Sequence, residues 1–269
     1  MKYLIYIAIS YSIFVTVLFF FQRNLLYFPS NAHPKPSDWR VPDMREVTLK
    51  TQDGLSLTAW YKTAEKNKPT IIYFHGNAFH LGGRGPTVRP YLDAGFGVLL
   101  VSYRGYAGNP GKPTEEGLYN DARAAIQFVT SEKVPLDHIV LYGESLGTGI
   151  AIQMATEYPV AALVLYAPYT SITDVGQYHY FYLPVRLLLR DRFDSLSKIK
   201  NVHAPLLIIH SEQDELIPVA LSKELLAAAN PPKEAIFLKN LKHNDYQDMS
   251  KEVMKFISEN IHSDAGNKR

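Results

Sequence analysis

Residues 139–147 read IVLYGESLG and place a serine directly after a short apolar run. Apolar residues without polar alternation are typical of a strand that is covered on both faces. The Gly-x-Ser-x-Gly pattern from Gly143 to Gly147 is typical of a strained turn between a strand and a helix, on which the serine hydroxyl is exposed. A helical face follows, formed by Ile150, Ala151, Met154 and Ala155. The stretch therefore predicts a strand–turn–helix unit with Ser145 as a candidate nucleophile, rather than a glycine-rich turn that only carries an exposed serine.

Apolar runs of the same kind lie on both sides of this unit. They comprise residues 71–74, 98–101, 163–165, 206–209 and 235–238. Amphipathic segments lie between them, one of which follows Thr114, a candidate helix N-cap with Glu115 and Glu116 in the first turn. Alternating strands and helices predict an α/β fold with a mostly parallel central sheet covered by helices. Ligands of such sheets bind at the carboxyl ends of the strands, and the candidates below all lie there.

A base and an acid are the next requirements, because a serine hydroxyl alone is a poor nucleophile. His243 is the candidate base, since it lies between the predicted last strand and the last helix. Asp214 follows the strand 206–209 and is the candidate acid that orients the histidine. Glu212 and Glu215 remain alternatives as the acid. The chain order of serine, acid and histidine is known for triads on this kind of sheet, so we expect Ser145, Asp214 and His243 to be catalytic.

The turn His75-Gly76-Asn77-Ala78 closes the strand 71–74. A backbone N–H in this turn, together with that of Leu146, would stabilise a developing oxyanion. Asn77 is the first choice as donor and Ala78 the second. The alternative is an ordinary strand-end turn in which His75 has a structural role.

Residues 169–194 interrupt the alternation with an aromatic and aliphatic stretch. We interpret them as a small cap over the site, with Tyr178, Phe181 and Leu183 among the substrate-binding residues together with Tyr106. An additional core helix without ligand contacts is the alternative interpretation.

The N-terminal segment is of a different kind, because no residue from Tyr3 to Phe21 is charged. Its length is close to the roughly 20 residues that cross a bilayer core, so residues 1–23 are predicted to be a single-pass membrane anchor. A cleaved signal peptide and a buried or interfacial helix are the alternatives. The flanking charges are nearly balanced, and we favour an extracytoplasmic catalytic domain. Residues 24–45 are expected to be a connector, 46–260 the catalytic domain and 261–269 a polar tail.

Composition narrows the class of protein. The chain has 269 residues, a net charge of +2 and no cysteine. The absence of cysteine excludes a disulfide framework and a cysteine nucleophile. The scattered basic residues form no stripe that would follow a phosphate backbone, so we expect no nucleic-acid partner.

Five stretches together resemble the membrane-anchored α/β-hydrolases. They are the HGNA turn at 75–78, the YRGY loop at 103–106, the Gly-x-Ser-x-Gly turn, residues 214–218 and residues 243–245. The resemblance covers roughly residues 46–260. One departure is Ser211, where members of the family commonly carry glycine after the histidine that ends the strand.

The resemblance implies an esterase-type serine hydrolase that needs no metal and no organic cofactor. The expected substrate is a small-molecule or lipid-like ester or thioester, cleaved through an acyl-enzyme intermediate. A serine peptidase of the same fold and a non-catalytic membrane-tethered binding protein remain alternatives. The dehalogenase and epoxide-hydrolase types carry aspartate at the position of Ser145 and are not indicated.

Overall fold

An eight-stranded sheet forms the centre of the molecule, in the order β10-β9-β8-β7-β4-β6-β3-β2. The computed structural model describes residues 1–245 and 247–261, so the predicted polar tail lies outside the described residues from 262 onward. The strands are β1 (Phe28–Pro29), β2 (Arg45–Lys50), β3 (Ser56–Lys62), β4 (Thr70–Phe74), β5 (Ala78–Phe79), β6 (Gly97–Leu100), β7 (Ile139–Glu144), β8 (Ala162–Tyr166), β9 (Leu206–Ser211) and β10 (Lys233–Leu238).

Helices cover the sheet, and the described part of the chain begins and ends with a helix. They are α1 (Lys2–Leu26), α2 (Gly85–Asp93), α3 (Glu115–Ser131), α4 (Leu146–Glu157), α5 (Ile172–His179), α6 (Val185–Leu188), α7 (Ser195–Ile199), α8 (Val219–Ala228) and α9 (Ser250–Asn260).

All strand pairings from β10 to β6 are parallel, and only β3 and β2 are antiparallel to their neighbours. The prediction of a mostly parallel sheet is thus confirmed. Its apolar runs are buried because two layers of core lie on its opposite faces. The Thr114 hydroxyl accepts a hydrogen bond from the Gly117 N–H at 3.0 Å and caps α3, as its position predicts.

The N-terminal helix α1 ends at Leu26, three residues beyond the predicted boundary of the anchor. Parts of the predicted connector, residues 24–45, pack against the catalytic domain. Tyr27 is buried, and the two residues of β1 pair in parallel with β5. Val41 and Met44 are also buried in the core. Residues 24–45 therefore belong partly to α1 and partly to the packed domain.

Helix α1 is long and apolar enough to cross a membrane by length and composition, although a signal sequence passes the same criterion. None of its residues is buried in the described structure. The alternative of a buried core helix is therefore wrong.

Residues 172–189, hereafter the aromatic hairpin, comprise α5, a turn and α6. The hairpin lies alongside α1. The Tyr11 hydroxyl donates to the Tyr182 carbonyl oxygen at 3.0 Å, and the Gln22 side-chain amide donates to the Leu188 carbonyl oxygen at 3.1 Å. Just beyond it, the Arg23 guanidinium pairs with the Asp191 carboxylate at 2.7 Å.

Candidate active site

Ser145 occupies the sharp turn between β7 and α4. Its φ of 50° and ψ of −118° are unfavourable for a residue with a side chain, and such strain is typical of a residue that the surrounding fold holds in place at a functional site. A Cβ on Gly147 would lie 2.1 Å from the Phe74 carbonyl oxygen, and one on Gly143 would lie 2.6 Å from the Gly147 carbonyl oxygen. Glycine is therefore required at both flanking positions because the backbone passes too closely for a side chain.

The three predicted catalytic residues lie within one hydrogen-bonded chain. The Ser145 Oγ is 3.2 Å from the His243 Nε2, and the His243 Nδ1 is 2.7 Å from the Asp214 Oδ2. Ser145 is at the end of β7, while Asp214 follows β9 and His243 follows β10. The neighbouring parallel strands thus bring together residues that are up to 98 positions apart in the chain.

The Asp214 carboxylate is buried and accepts several hydrogen bonds. Its Oδ1 receives the N–H groups of Leu216 and Ile217 at 2.9 and 2.7 Å. Its Oδ2 also lies 3.1 Å from the Nε2 of buried His210. Burial alone would raise the pKa of Asp214, but the hydrogen bonds from His210 and His243 outweigh it and hold this pKa below its usual range. The group therefore remains a carboxylate that can orient the histidine and stabilise an imidazolium.

The alternative acids take other positions. The Glu215 carboxylate accepts the backbone N–H of His243 at 3.1 Å, and so holds the loop rather than the imidazole ring. Glu212 is exposed and lies 3.9 Å from the Lys223 ammonium. Of the three acidic side chains, Asp214 is the one that contacts the imidazole of His243.

Ser211, the departure from the family pattern, connects the acid loop to the histidine loop. Its hydroxyl donates to the carbonyl oxygen of Leu241 and accepts the Gln213 N–H at 3.2 Å. Glycine could not form either side-chain contact. The serine thus helps to fix the position of the Asp214 loop relative to the His243 loop.

The predicted oxyanion turn passes directly against the nucleophile, since a Cβ on Gly76 would lie 3.5 Å from the Cβ of Ser145. Neither the Asn77 nor the Leu146 N–H donates a hydrogen bond to another described residue. The carbonyl oxygen of Asn77 accepts the N–H of Phe28 at 2.9 Å and the hydroxyl of Tyr106 at 2.7 Å. These contacts fix the turn, and the N–H groups of Asn77 and Leu146 have no acceptor among the described residues.

His75 contacts the same turn through its buried imidazole ring. Its Nδ1 lies 2.7 Å from the Gly76 carbonyl oxygen, and its ring packs against Tyr103 at a centroid distance of 4.3 Å. Burial, with Arg84 acting in the same direction, lowers the pKa of His75 to about 4. The imidazole is therefore neutral near pH 7, and its contacts with the Gly76 carbonyl and the Tyr103 ring are those of a residue that supports the turn.

A cavity of about 280 Å³ opens beside Ser145 and His243. Its wall includes Tyr73, Arg84, Tyr91, Tyr142, Glu144, Tyr166 and Met249. The Arg84 guanidinium binds the Glu144 carboxylate at 2.6 Å, and the Tyr73 hydroxyl donates to the same carboxylate at 2.7 Å. Sequence analysis missed this pair. Glu144 could have been found by its place within the Gly-x-Ser-x-Gly pattern, whereas no local signal distinguishes Arg84.

The predicted substrate-binding residues do not line this cavity. Tyr106 is buried and holds the Asn77 turn instead, because its hydroxyl is directed to the carbonyl of that residue. The side chains of Tyr178 and Phe181 are exposed on the aromatic hairpin, and Leu183 is half-buried in the turn of the hairpin. No residue of the predicted cap, 169–194, contributes to this wall: residues 172–189 contact α1, and residues of α2 and the start of α9 line the cavity. Among the described residues, no group of three or more His, Asp or Glu side chains is arranged to hold a metal ion.

Comparison with known proteins agrees with the fold. A family model described as serine aminopeptidase, S33, matches residues 65–190. An uncharacterized protein of Mycobacterium tuberculosis H37Rv is 42% identical over 237 residues, covering 87% of this chain and 84% of the relative. Human alpha/beta hydrolase domain-containing protein 17B is 28% identical over 239 residues, covering 84% of this chain and 81% of that protein.

Solved structures agree as well. An esterase of Pyrococcus furiosus, Pf2001, superposes with a TM-score of 0.71 at 20% identity, covering 87% of this chain and all of that one. The chain therefore belongs to the α/β-hydrolase superfamily, as its motifs predicted. Membership of this family supports a hydrolase activity.

Proposed function

We propose that the protein is a serine hydrolase that cleaves carboxylic ester or thioester bonds through an acyl-enzyme intermediate. The observation that carries the proposal is the hydrogen-bonded chain from the Ser145 Oγ through the His243 imidazole to the Asp214 carboxylate. Nucleophile, base and orienting acid stand in the order that acyl transfer requires.

In the first half-reaction, the His243 Nε2 takes the proton of the Ser145 hydroxyl as the Oγ attacks the acyl carbon. The carbonyl oxygen becomes an oxyanion beside the N–H groups of Asn77 and Leu146, which stabilise its negative charge. When the intermediate collapses, the imidazolium returns its proton to the departing alkoxide or thiolate. The acyl group is then bound to the Ser145 Oγ.

In the second half-reaction, a water molecule gives a proton to His243 and attacks the acyl carbon. The Ser145 Oγ leaves and recovers that proton, which releases the carboxylic acid. Asp214 remains ionised throughout and holds the imidazole so that Nε2 faces the serine.

The acyl group is proposed to be short to medium in length and to occupy the cavity of about 280 Å³. Tyrosine rings and Met249 supply apolar surface there, and each methylene that they bury contributes about 0.8 kcal/mol. A series of p-nitrophenyl esters tests this assignment. Rising kcat/KM from acetate to butyrate supports it, while a flat response to chain length contradicts it.

A serine peptidase of the same fold is the second candidate, favoured by the aminopeptidase model that matches residues 65–190. Glu144 is a carboxylate on the cavity wall that could receive a substrate amino group, but it already binds Arg84 and Tyr73. Amino-acyl amides measured beside the ester series distinguish the two activities. A preference for the amides would establish the peptidase.

Helix α1 is proposed to anchor the protein in a membrane. Its exposed apolar surface would otherwise face water along about 37 Å of helix. Full-length protein that is released by a carbonate wash would contradict the anchor, and protein that is recovered without residues 1–21 would support the signal peptide.

A fluorophosphonate probe tests the serine hydrolase directly. Wild-type protein is expected to be labelled covalently, and Ser145→Ala is expected to lose both labelling and ester hydrolysis while keeping its fold. Ser197→Ala, an exposed serine in α7, is the matched control. Retention of full activity by Ser145→Ala would favour a different nucleophile, and absence of labelling in the wild type would favour the non-catalytic binding protein.

A further inference from the structure

The aromatic hairpin carries most of the exposed large apolar side chains that the structure describes outside α1. Tyr178, Tyr180, Phe181, Tyr182 and Leu187 are all more than half exposed, with Phe181 at 79% and Leu187 at 83%. Contiguous apolar patches of this kind mark interaction sites on soluble domains. None of these side chains lines the cavity beside Ser145.

The position of the hairpin along α1 indicates what covers this surface. The hairpin contacts the helix at Tyr11 and again at Gln22, and these two residues are separated by about 17 Å along the helix axis. The hydrocarbon core of a bilayer is about 30 Å thick, so a helix that spans it near residues 2–21 places Tyr11 close to the bilayer centre. The hairpin, which reaches Tyr11, must then enter the same leaflet.

The backbone of the hairpin is suited to that environment. Non-helical backbone that faces lipid is unfavourable because its polar groups find no water. Here part of the turn is satisfied internally: the Leu183 N–H donates to the Tyr180 carbonyl at 2.9 Å, and the Val185 N–H donates to the Leu183 carbonyl at 2.8 Å. The Leu187 N–H donates to the Pro184 carbonyl at 3.0 Å. The exposed carbonyl of Tyr182 accepts the hydroxyl of Tyr11.

The charged side chains of the hairpin are few. No aspartate or glutamate occurs between Val175 and Arg190, and Arg186 in α6 pairs with Asp174 in α5 at 3.1 Å. Arg190 lies at the level of Phe19 and Gln22, with its guanidinium 5.9 Å from the Phe19 ring and its N–H bound to the Gln22 side chain at 2.8 Å. Arginine at this level can reach lipid phosphates, and tyrosines are enriched in the interfacial region of membranes.

We propose that the aromatic hairpin is a second membrane-inserting element, which enters the leaflet beside α1 and sets the orientation of the catalytic domain on the lipid surface. The inference rests on the proposed membrane anchor. The hairpin is joined to the acid loop, because the His179 Nε2 lies 2.8 Å from the carbonyl oxygen of Leu216, two residues after Asp214. Insertion would therefore hold the catalytic acid loop next to the membrane surface.

The absence of cysteine from the chain allows a direct test. Single-cysteine variants Phe181→Cys and Leu187→Cys of the full-length protein are labelled with an environment-sensitive fluorophore and reconstituted in phosphatidylcholine–phosphatidylglycerol vesicles. Ile7→Cys within α1 is the positive control, and Lys66→Cys on an exposed loop of the domain is the negative control. Fluorophosphonate labelling of each variant reports an intact site.

The fluorophores at residues 181 and 187 are expected to shift to shorter wavelength and to be quenched severalfold more by brominated lipids than the fluorophore at residue 66. Quenching at residue 7 but not at 181 or 187 would leave the anchor and overturn the inserted hairpin. Efficient disulfide cross-linking between two copies through Cys at 181, without lipid quenching, would overturn it in favour of a dimer contact. Absence of quenching at residue 7 would refute the anchor and the inserted hairpin, whereas the fluorophosphonate result tests the hydrolase independently.

Discussion

The side-chain amide of Asn77 donates to the carbonyl oxygen of Leu26 at 2.9 Å, so the last residue of the N-terminal helix is bonded to the proposed oxyanion turn. The contact is reinforced two residues later, where β1 pairs with β5. The N-terminal segment is therefore part of the structure around Ser145 as well as a candidate anchor.

Two N-terminal truncations separate these roles. Removal of residues 1–23 keeps Leu26 and β1, so the protein should lose its spanning helix and keep its kcat. Removal of residues 1–30 also deletes the Leu26 carbonyl and the N–H of Phe28, which hold Asn77. A small misplacement of a catalytic group costs on the order of 10² in rate, and we expect kcat to fall by about that factor. Steady-state ester kinetics measure the effect, with circular dichroism as the control for folding. Equal kcat in both truncations would show that β1 does not position the turn.

The candidate triad should behave as one unit. Ser145→Ala and His243→Ala are each expected to lower kcat by on the order of 10⁶, and the double variant should be no worse, because each residue needs the other. Asp214→Asn is expected to cost on the order of 10⁴, because the amide can no longer hold the productive tautomer. Glu215→Gln is the matched control and should change kcat little, since Glu215 contacts the His243 backbone only. A greater loss in Glu215→Gln than in Asp214→Asn would reassign the acid.

Tyr106 should affect the rate of the chemical step rather than substrate binding. Its hydroxyl donates to the Asn77 carbonyl and is absent from the cavity wall. Tyr106→Phe is therefore expected to lower kcat severalfold with little change in KM. Tyr119→Phe removes a buried tyrosine hydroxyl that bonds Glu115 instead, and serves as the control. If KM rises while kcat is unchanged, Tyr106 contacts substrate after all.

Acid should destabilise the fold through His75. Its pKa is about 4 in the folded protein, against about 6.5 for an ordinary histidine. Between these values the unfolded chain binds a proton that the folded chain does not, so the free energy of unfolding falls as pH decreases from about 6.5 to about 4. The loss amounts to at most about 3 kcal/mol.

Urea unfolding of the truncation that lacks residues 1–23, measured at several pH values, reports this dependence. His75→Gln should flatten it in part, because burial also lowers the pKa of His80. His138→Gln, at a more exposed site, is the control. A pH dependence that is unchanged in His75→Gln would show that other groups cause it.

Much of the fold follows from local sequence pattern. The continuous apolar runs predicted the buried parallel strands because a strand covered on both faces leaves no position for polar residues. The Gly-x-Ser-x-Gly stretch predicted the turn at Ser145 because only glycine fits where Gly147 meets the Phe74 carbonyl. Chain order sufficed to propose His243 and an acid in the loop after β9, since each loop follows a recognisable strand.

Other features depend on contacts between residues that are distant in the chain. Glu212, Asp214 and Glu215 are equivalent acids in the sequence, and only the folding of two loops brings one carboxylate to the His243 imidazole. Arg84 meets Glu144 across 60 residues. No local period encodes such a pairing, because periodicity determines which face of an element is buried and not which distant side chain it meets.

The aromatic stretch between the turn at Ser145 and the loop of Asp214 shows most clearly the difference between local pattern and distant contacts. Its composition determined that residues 172–189 would present apolar side chains, and the cap interpretation followed from its place in the chain. It contacts Tyr11 and Gln22, more than 160 residues away, and does not line the cavity beside Ser145. The sequence determined the chemical character of this surface, whereas the tertiary structure decided which part of the molecule it packs against, because the contact with α1 joins two segments that are far apart in the chain.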